Sequence, residues 1–288
     1  MQFLPDCYSC LTQQALGASR HAGAPAEQQL EVMRQVLAVL QAADLRLAPA
    51  QIAGQTNRIV REVTGVADPY LRIKETSTRL ALEMYPRLRE LVAQSPDPFE
   101  TALRLSLAGN IIDVVHSDHH DLEGTVQRAL TQPLAGNGLE ALRAAVARAD
   151  HVLYLGDNAG ETVFDRLLIE QIAPPVTYVV KGGPILNDAT LAEAQAAGLD
   201  QVATLVSTGS QTPGTVLAEC TPSFQQLFAS ATLIIAKGQS NCETLDHLDP
   251  RVFFLLQVKC PVLGQKLGWP QGSLLVKPGG PVRADRAG

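Results

Sequence analysis

Residues 151–161 read HVLYLGDNAGE, and the fold is decided by this stretch. Val152, Leu153, Tyr154 and Leu155 form a short apolar, β-favouring run that Gly156 ends. Such a run suits a buried strand of a parallel sheet. The apolar residues of Thr162–Gln171 then recur at helical spacing. Asp157 and Asn158 therefore fall in a strand-to-helix turn, where open α/β sheets bind their ligands. Two adjacent oxygen donors suit a hard divalent cation. The amides that follow, at a helix N-terminus, suit a phosphate. A side-chain cap on the helix would use the same two residues, and the turn on its own supports both readings.

Downstream, short apolar runs keep alternating with helical patterns. The runs are Val176–Val180, Val202–Val206, Leu233–Ala236, Val252–Val258 and Leu274–Val276. This alternation predicts an α/β fold, a parallel sheet with flanking helices. Several runs end in polar or glycine-rich turns, GDNAGE, KGGPILND, STGSQTPG and KGQSNCE. In a parallel sheet such turns meet along one edge. Upstream the pattern is helical. Ala26–Ala42 carries Leu30, Met33, Val36, Leu37 and Leu40 at helical spacing, and further helices are expected over Pro49–Val63, Tyr70–Val92, Phe99–Val115, Leu122–Leu130 and Leu139–Ala149. The expected organisation is an all-helical domain over 1–150, an α/β domain over 151–278 that binds metal and phosphate, and a disordered Gly/Pro/Arg tail over 279–288.

The 288 residues are 46% hydrophobic and 18% charged, with a formal net charge of -6. That balance argues against nucleic acid as a partner. No apolar run approaches the ~20 residues of a membrane span. MQFLPDCYSC lacks a basic region followed by an apolar core, so no signal peptide is expected and the cytoplasm is the expected location. The five cysteines are then reduced thiols or metal ligands.

Three strand ends carry chemistry. The first holds Asp157 and Asn158. The second holds Lys181 followed by Asn187 and Asp188, and Asp188 is a third metal oxygen or a helix cap. The third holds Lys237 with Asn241 and Glu243 just beyond. A lysine at a strand end either neutralises a phosphate as a point charge or is a solvated surface group.

These motifs resemble those of the damage-control phosphatases, the family also known as domain of unknown function 89. The matches are GDNAGE (156–161), KGGPILNDAT (181–190) and KGQSNCE (237–243), with weaker ones at AGNIID (108–113), PGT (213–215) and CYSC (7–10). They follow the family's order and span nearly the whole chain. CYSC and LLQVKCPV (255–262) look like the stand-alone prokaryotic branch with its N-terminal CxxC. The resemblance implies a Rossmann-like α/β domain behind a helical N-terminal region. It implies a metal-dependent phosphatase of small phosphometabolites such as sugar phosphates. It also implies that Asp157, Asn158 and Asp188 ligate one divalent cation and that Lys237 and nearby residues hold phosphate. Gly160, Lys181 and Asn241 are the expected neighbours in that role, with Asn110 and Asp113 lining the pocket from the helical side.

Two carboxylates and one amide leave coordination positions open, and an all-oxygen set suits Mg or Mn, with Co or Ni able to enter. Ligation is preferred to nucleophilic attack by Asp157, because the adjacent Asn158 has no nucleophilic use. Glu161 either orients water or places a favourable charge in the first helical turn. Two other functions compete. A carboxyl methyltransferase using S-adenosylmethionine wants a glycine-rich first turn and an acid ending the second strand, where this chain has Lys181. A non-catalytic binding module has no need for the full set of acidic and basic strand ends. Cys7 and Cys10 are half of a structural thiol site that Cys260 would complete, or packed thiols at a helix start. The cluster His116, Asp118, His119, His120 and Asp121 has the look of a transition-metal site, although a polar loop is the preferred reading.

Overall fold

The computed structural model describes residues 3–109, 122–246 and 248–280. Five helices open the chain: α1 (Pro5–His21), α2 (Ala26–Gln41), α3 (Pro49–Thr64), α4 (Leu71–Gln94) and α5 (Pro98–Gly109). They are followed by α6 (Leu122–Thr131), β1 (Leu134–Ala135) and α7 (Gly138–Arg148). The alternating part runs β2 (Val152–Leu155), α8 (Glu161–Ile169), β3 (Val176–Val180), α9 (Leu191–Ala196), β4 (Thr204–Ser207), α10 (Pro222–Ser230), β5 (Leu233–Lys237), α11 (Gly238–Leu245), β6 (Val252–Gln257), α12 (Pro261–Leu267) and β7 (Leu274–Pro278). No helix among the described residues is long and apolar enough to cross a membrane.

The seven strands form one sheet in the order β1-β7-β6-β5-β2-β3-β4. The central strands β2, β3 and β5 are buried throughout, as their unbroken apolar runs require. β2 pairs in parallel with both β3 and β5. The chain winds outward from β2 in one direction through β3 and β4, and in the other through β5 and β6. The C-terminal end of β2 is therefore the topological switch point of the sheet, the crevice in which such folds hold ligands.

Two features depart from the sequence reading. β1 lies before residue 150, so that region is not wholly helical, and it joins the sheet beside β7. β7 runs antiparallel to β6, so the sheet is mostly parallel. The helices before 150 also have two kinds of surroundings. α1, α2 and α3 share a core of their own, with Leu11, Ala15, Val32, Val36, Leu40, Ile52 and Val60. Residues of α4, α5 and α7, among them Ala81, Leu103, Leu107 and Leu142, pack in the same core as Val152, Tyr154 and Phe164.

Candidate active site

The turn after β2 and the loop after β3 are stitched together by their backbones. Ala159 N–H donates to the Asn187 carbonyl at 2.9 Å and Ala189 N–H to the Asp157 carbonyl at 2.8 Å. Lys181 N–H donates to the Ala189 carbonyl at 2.9 Å. Asn158 and Asp188 pair as an isolated antiparallel bridge. Asp157, Asn158 and Asp188 are thus brought side by side, and all three are buried. Asn158 Nδ2 donates to Asp157 Oδ2 at 3.3 Å and to Glu161 Oε2 at 3.4 Å. That leaves its carbonyl oxygen as the atom that could meet a cation. Asp188 Oδ2 is buried with no hydrogen-bond partner, and the Lys181 ammonium stands 3.7 Å away, beyond hydrogen-bond distance. Leaving such an acceptor buried is costly unless something else satisfies it. A backbone constraint completes the group. Gly238 has φ +79°, and a Cβ there would lie 2.0 Å from Asp157 Oδ2, so only glycine lets this carboxylate rest against the first turn of α11.

The electrostatics point the same way. Burial first, then the neighbouring Asp188, pushes Asp157 up to about 7, against the pull of Lys259, Lys181 and Lys237. Burial pushes Asp188 up to about 6, opposed by Lys181, Lys259 and Lys74. Two carboxyls held above their ordinary range in one buried place are what an added cation would relieve. The sign for stability follows. With folded values above the unfolded ones, the stabilisation is complete below about pH 4 and is lost as pH rises through about 6 to 7. Chelated wild-type protein should therefore lose thermal stability relative to an Asp157→Asn/Asp188→Asn variant as pH rises from about 4 to 7. Thermal unfolding at stepped pH checks this, and a difference that does not vary with pH would refute it.

Beneath the carboxylates lies a buried polar network. Lys237, fully buried, donates to Glu161 Oε1, to Asp165 Oδ1 at 2.5 Å and to the Ser106 carbonyl at 3.1 Å. Asp165 also accepts from Ser106 Oγ at 2.9 Å, Tyr154 OH at 2.9 Å and Tyr178 OH at 2.8 Å. Burial works against the charge of Lys237, and Asp165 and Glu161 outweigh it. Glu161 is pushed up to about 8 by burial, with Lys237 opposing. Lys237 is thus neither a surface lysine nor an open phosphate donor, because all three of its N–H groups are committed to protein acceptors. The lysines that influence Asp157 and Asp188 from the strand ends are Lys181, which also donates to the Gly214 carbonyl, and the exposed Lys259 after β6.

Asn241 is buried and knits the crevice together. Its amide donates to the Lys237 carbonyl at 2.8 Å and accepts from Thr215 Oγ1 at 2.8 Å. Gly160 is where the β2 turn closes onto α4, since a Cβ there would meet Ser77 at 2.8 Å. Two surface clefts, one between α4 and α5 and one between α4 and α9, contain neither Asp157 nor Asp188. Convergence of strand-end polar groups, not cleft size, picks out the site.

The comparisons with known proteins show the family. The model of the damage-control phosphatase ARMT1-like domain matches residues 3–275. The chain belongs to that family. A damage-control phosphatase of Pyrococcus horikoshii is 37% identical over 217 residues, 73% of this chain and 75% of that protein. A damage-control phosphatase of Archaeoglobus fulgidus is 34% identical over 238 residues, 79% and 82% of the two chains. An uncharacterised protein of Methanocaldococcus jannaschii is 31% identical over 92% of this chain and 91% of its own. The crystal structure of a DUF89 family protein from Pyrococcus horikoshii superposes with a TM-score of 0.88 at 31% identity, covering 97% of this chain and all of that one.

Within this damage-control phosphatase domain the other expected groups fall as follows. Cys7 is buried near the start of α1, Cys10 is exposed on the same helix, and Cys260 caps α12 by accepting from Leu263 N–H at 3.4 Å. Burial, then electrostatic influence of Cys260 and Glu243, raises Cys10. Cys7 is raised chiefly by burial. Among the described residues, no group of three or more His, Cys, Asp and Glu side chains is placed to hold a metal ion. The thiols as placed do not form such a group, whereas the oxygen set needs the Asn158 amide to reach three donors. Asn110, Asp113, the residues between His116 and Asp121, and most of the expected tail lie outside the described residues. Asp165, Tyr154, Tyr178, Lys74 and Lys259 were not singled out from the sequence. Only Asp165 left a trace there, as a lone acid within the apolar stretch that follows Glu161.

Proposed function

We propose that the chain is a divalent-metal-dependent phosphatase of small phosphorylated metabolites, with Asp157, Asn158 and Asp188 as the metal donors. The observation that carries this reading is the buried Asp188 Oδ2, without a hydrogen bond, beside Asp157 at the switch point of the sheet. The donors are all oxygen and suit Mg, Mn, Co or Ni. When bound, such an ion supplies Lewis acidity at phosphorus and counter-charge for the phosphoryl oxygens. The protein's part is positioning. Glu161 orients the Asn158 amide through Oε2 while Lys237 holds Oε1. Lys181 and Lys259 supply positive charge toward the carboxylates, where an anionic ester would arrive. The methyltransferase alternative gains nothing here, because β3 is followed by Lys181, which faces Asp188. Neither does a passive binding module, which has no use for carboxyl groups held above their ordinary range.

The test is a screen of chelated protein against phosphometabolites, with Mg, Mn, Co and Ni returned singly. Phosphate release is expected only after a divalent ion is added. Full release with metal absent by elemental analysis would reject the reading.

A further inference from the structure

Lys74 lies on α4, outside every motif discussed above, yet it is only 1% exposed. Its ammonium sits 2.6 Å from Asp68 Oδ2 and 2.7 Å from Glu193 Oε1. Both carboxylates have a second task. Asp68 Oδ1 accepts from Tyr70 N–H at 3.0 Å, which secures the entry to α4. Glu193 Oε2 accepts from Thr190 N–H at 2.8 Å and from Thr190 Oγ1 at 2.5 Å, part of the capping box that starts α9. Thr190 stands two residues beyond Asp188, and the intervening Ala189 carries the backbone hydrogen bonds to Asp157 and Lys181. A continuous series of contacts therefore runs from α4 through Lys74, Glu193 and Thr190 to the segment that holds Asp188 beside Asp157.

The same face of α4 reaches the other half of the site. Ser77, three residues on and so on the same side of the helix, packs against Gly160 in the turn that bears Asp157 and Asn158. One helical turn thus contacts the first turn of α9 and the turn after β2. A buried ammonium between two carboxylates is costly to desolvate, and apolar packing could replace it in a purely structural role. We propose that Lys74 is a positioning residue that sets Asp188 against Asp157 by holding the Glu193 cap. The inference rests on the metal reading above.

The experiment measures binding of manganese(II) to chelated, desalted protein by electron paramagnetic resonance of the free ion. It compares wild type with Lys74→Met, Glu193→Gln and Leu82→Ala, and records thermal unfolding of each. Leu82 packs against the main core from the same α4–α9 cleft, about two helical turns beyond Lys74. Lys74→Met and Glu193→Gln should each weaken manganese binding by about tenfold or more, the scale of lost outer-shell support. Leu82→Ala should lose stability but keep wild-type affinity. Unchanged affinity in both ion-pair variants would overturn the proposal, and so would an equal loss in Leu82→Ala. If Lys74→Met does not fold, Glu193→Gln decides. A wild type that binds no manganese would overturn the metal reading and this inference with it, an outcome distinct from a binding wild type with unaltered variants.

Discussion

Asp188→Asn should reduce metal-stimulated phosphate release by roughly a hundred- to a thousandfold or more, the loss typical of removing one preorganised electrostatic group, while the chain stays folded. Asp188 Oδ2 has no hydrogen-bond partner and faces the Lys181 ammonium only at 3.7 Å, so its removal breaks no hydrogen bond at that atom. Its charge raises Asp157, so the substitution also relieves a buried repulsion. Metal-free stability should therefore hold or rise at neutral pH even as activity is lost. A general packing defect would do the opposite. Asp157→Asn should behave alike, since Asp157 occupies the space that Gly238 leaves open. Phosphate release at saturating metal and thermal unfolding of the chelated variants, measured together, separate the two effects. Wild-type turnover in a folded variant would remove that carboxylate from the site.

Lys237→Met should act first on stability, by about 3–5 kcal/mol, the cost of removing one partner from a buried ion pair. Glu161 and Asp165 would be left buried without their ammonium, at 1% and 0% exposure. The pH dependence gives the loss a signature. Without Lys237, which lowers Glu161, this carboxyl rises further above its ordinary range. Its stabilisation is then present at low pH and lost as pH rises through the folded value. The variant should recover stability relative to wild type as pH falls from about 8 to 5.5. Urea unfolding at the two pH values checks this. A loss below about 1 kcal/mol, as for an exposed pair, would contradict the buried network. The family resemblance implies that Lys237 and nearby residues hold phosphate, whereas its hydrogen bonds here go to Ser106, Glu161 and Asp165.

Much of the architecture was legible in order along the chain. The strands β2, β3, β5 and β6 coincide closely with apolar runs, because strands buried on both faces must be apolar throughout. The elements that escaped were those whose stability comes from neighbours. β1 has two residues and exists through its pairing with β7. Val202 and Ala203 read as strand, yet β4 begins at Thr204 because Val202 closes the preceding turn.

The candidate site divides in the same way. Asp157, Asn158 and Asp188 were visible because strand-end position in a parallel sheet is a local property, and local pattern predicts which turns share an edge. Sequence alone thus determined the fold class, the edge of the sheet at which Asp157, Asn158 and Asp188 meet and the oxygen character of these proposed donors. Tertiary structure alone decided where each charge finds its partner. Lys237 reaches Ser106 across 131 residues and Asp165 across 72, and Lys74 on α4 holds Glu193 on α9. Nothing near these lysines in the chain separates a buried cation from a solvated one. Desolvation and ion pairing depend on what the fold places around a group, whereas periodicity records only which side of an element is apolar.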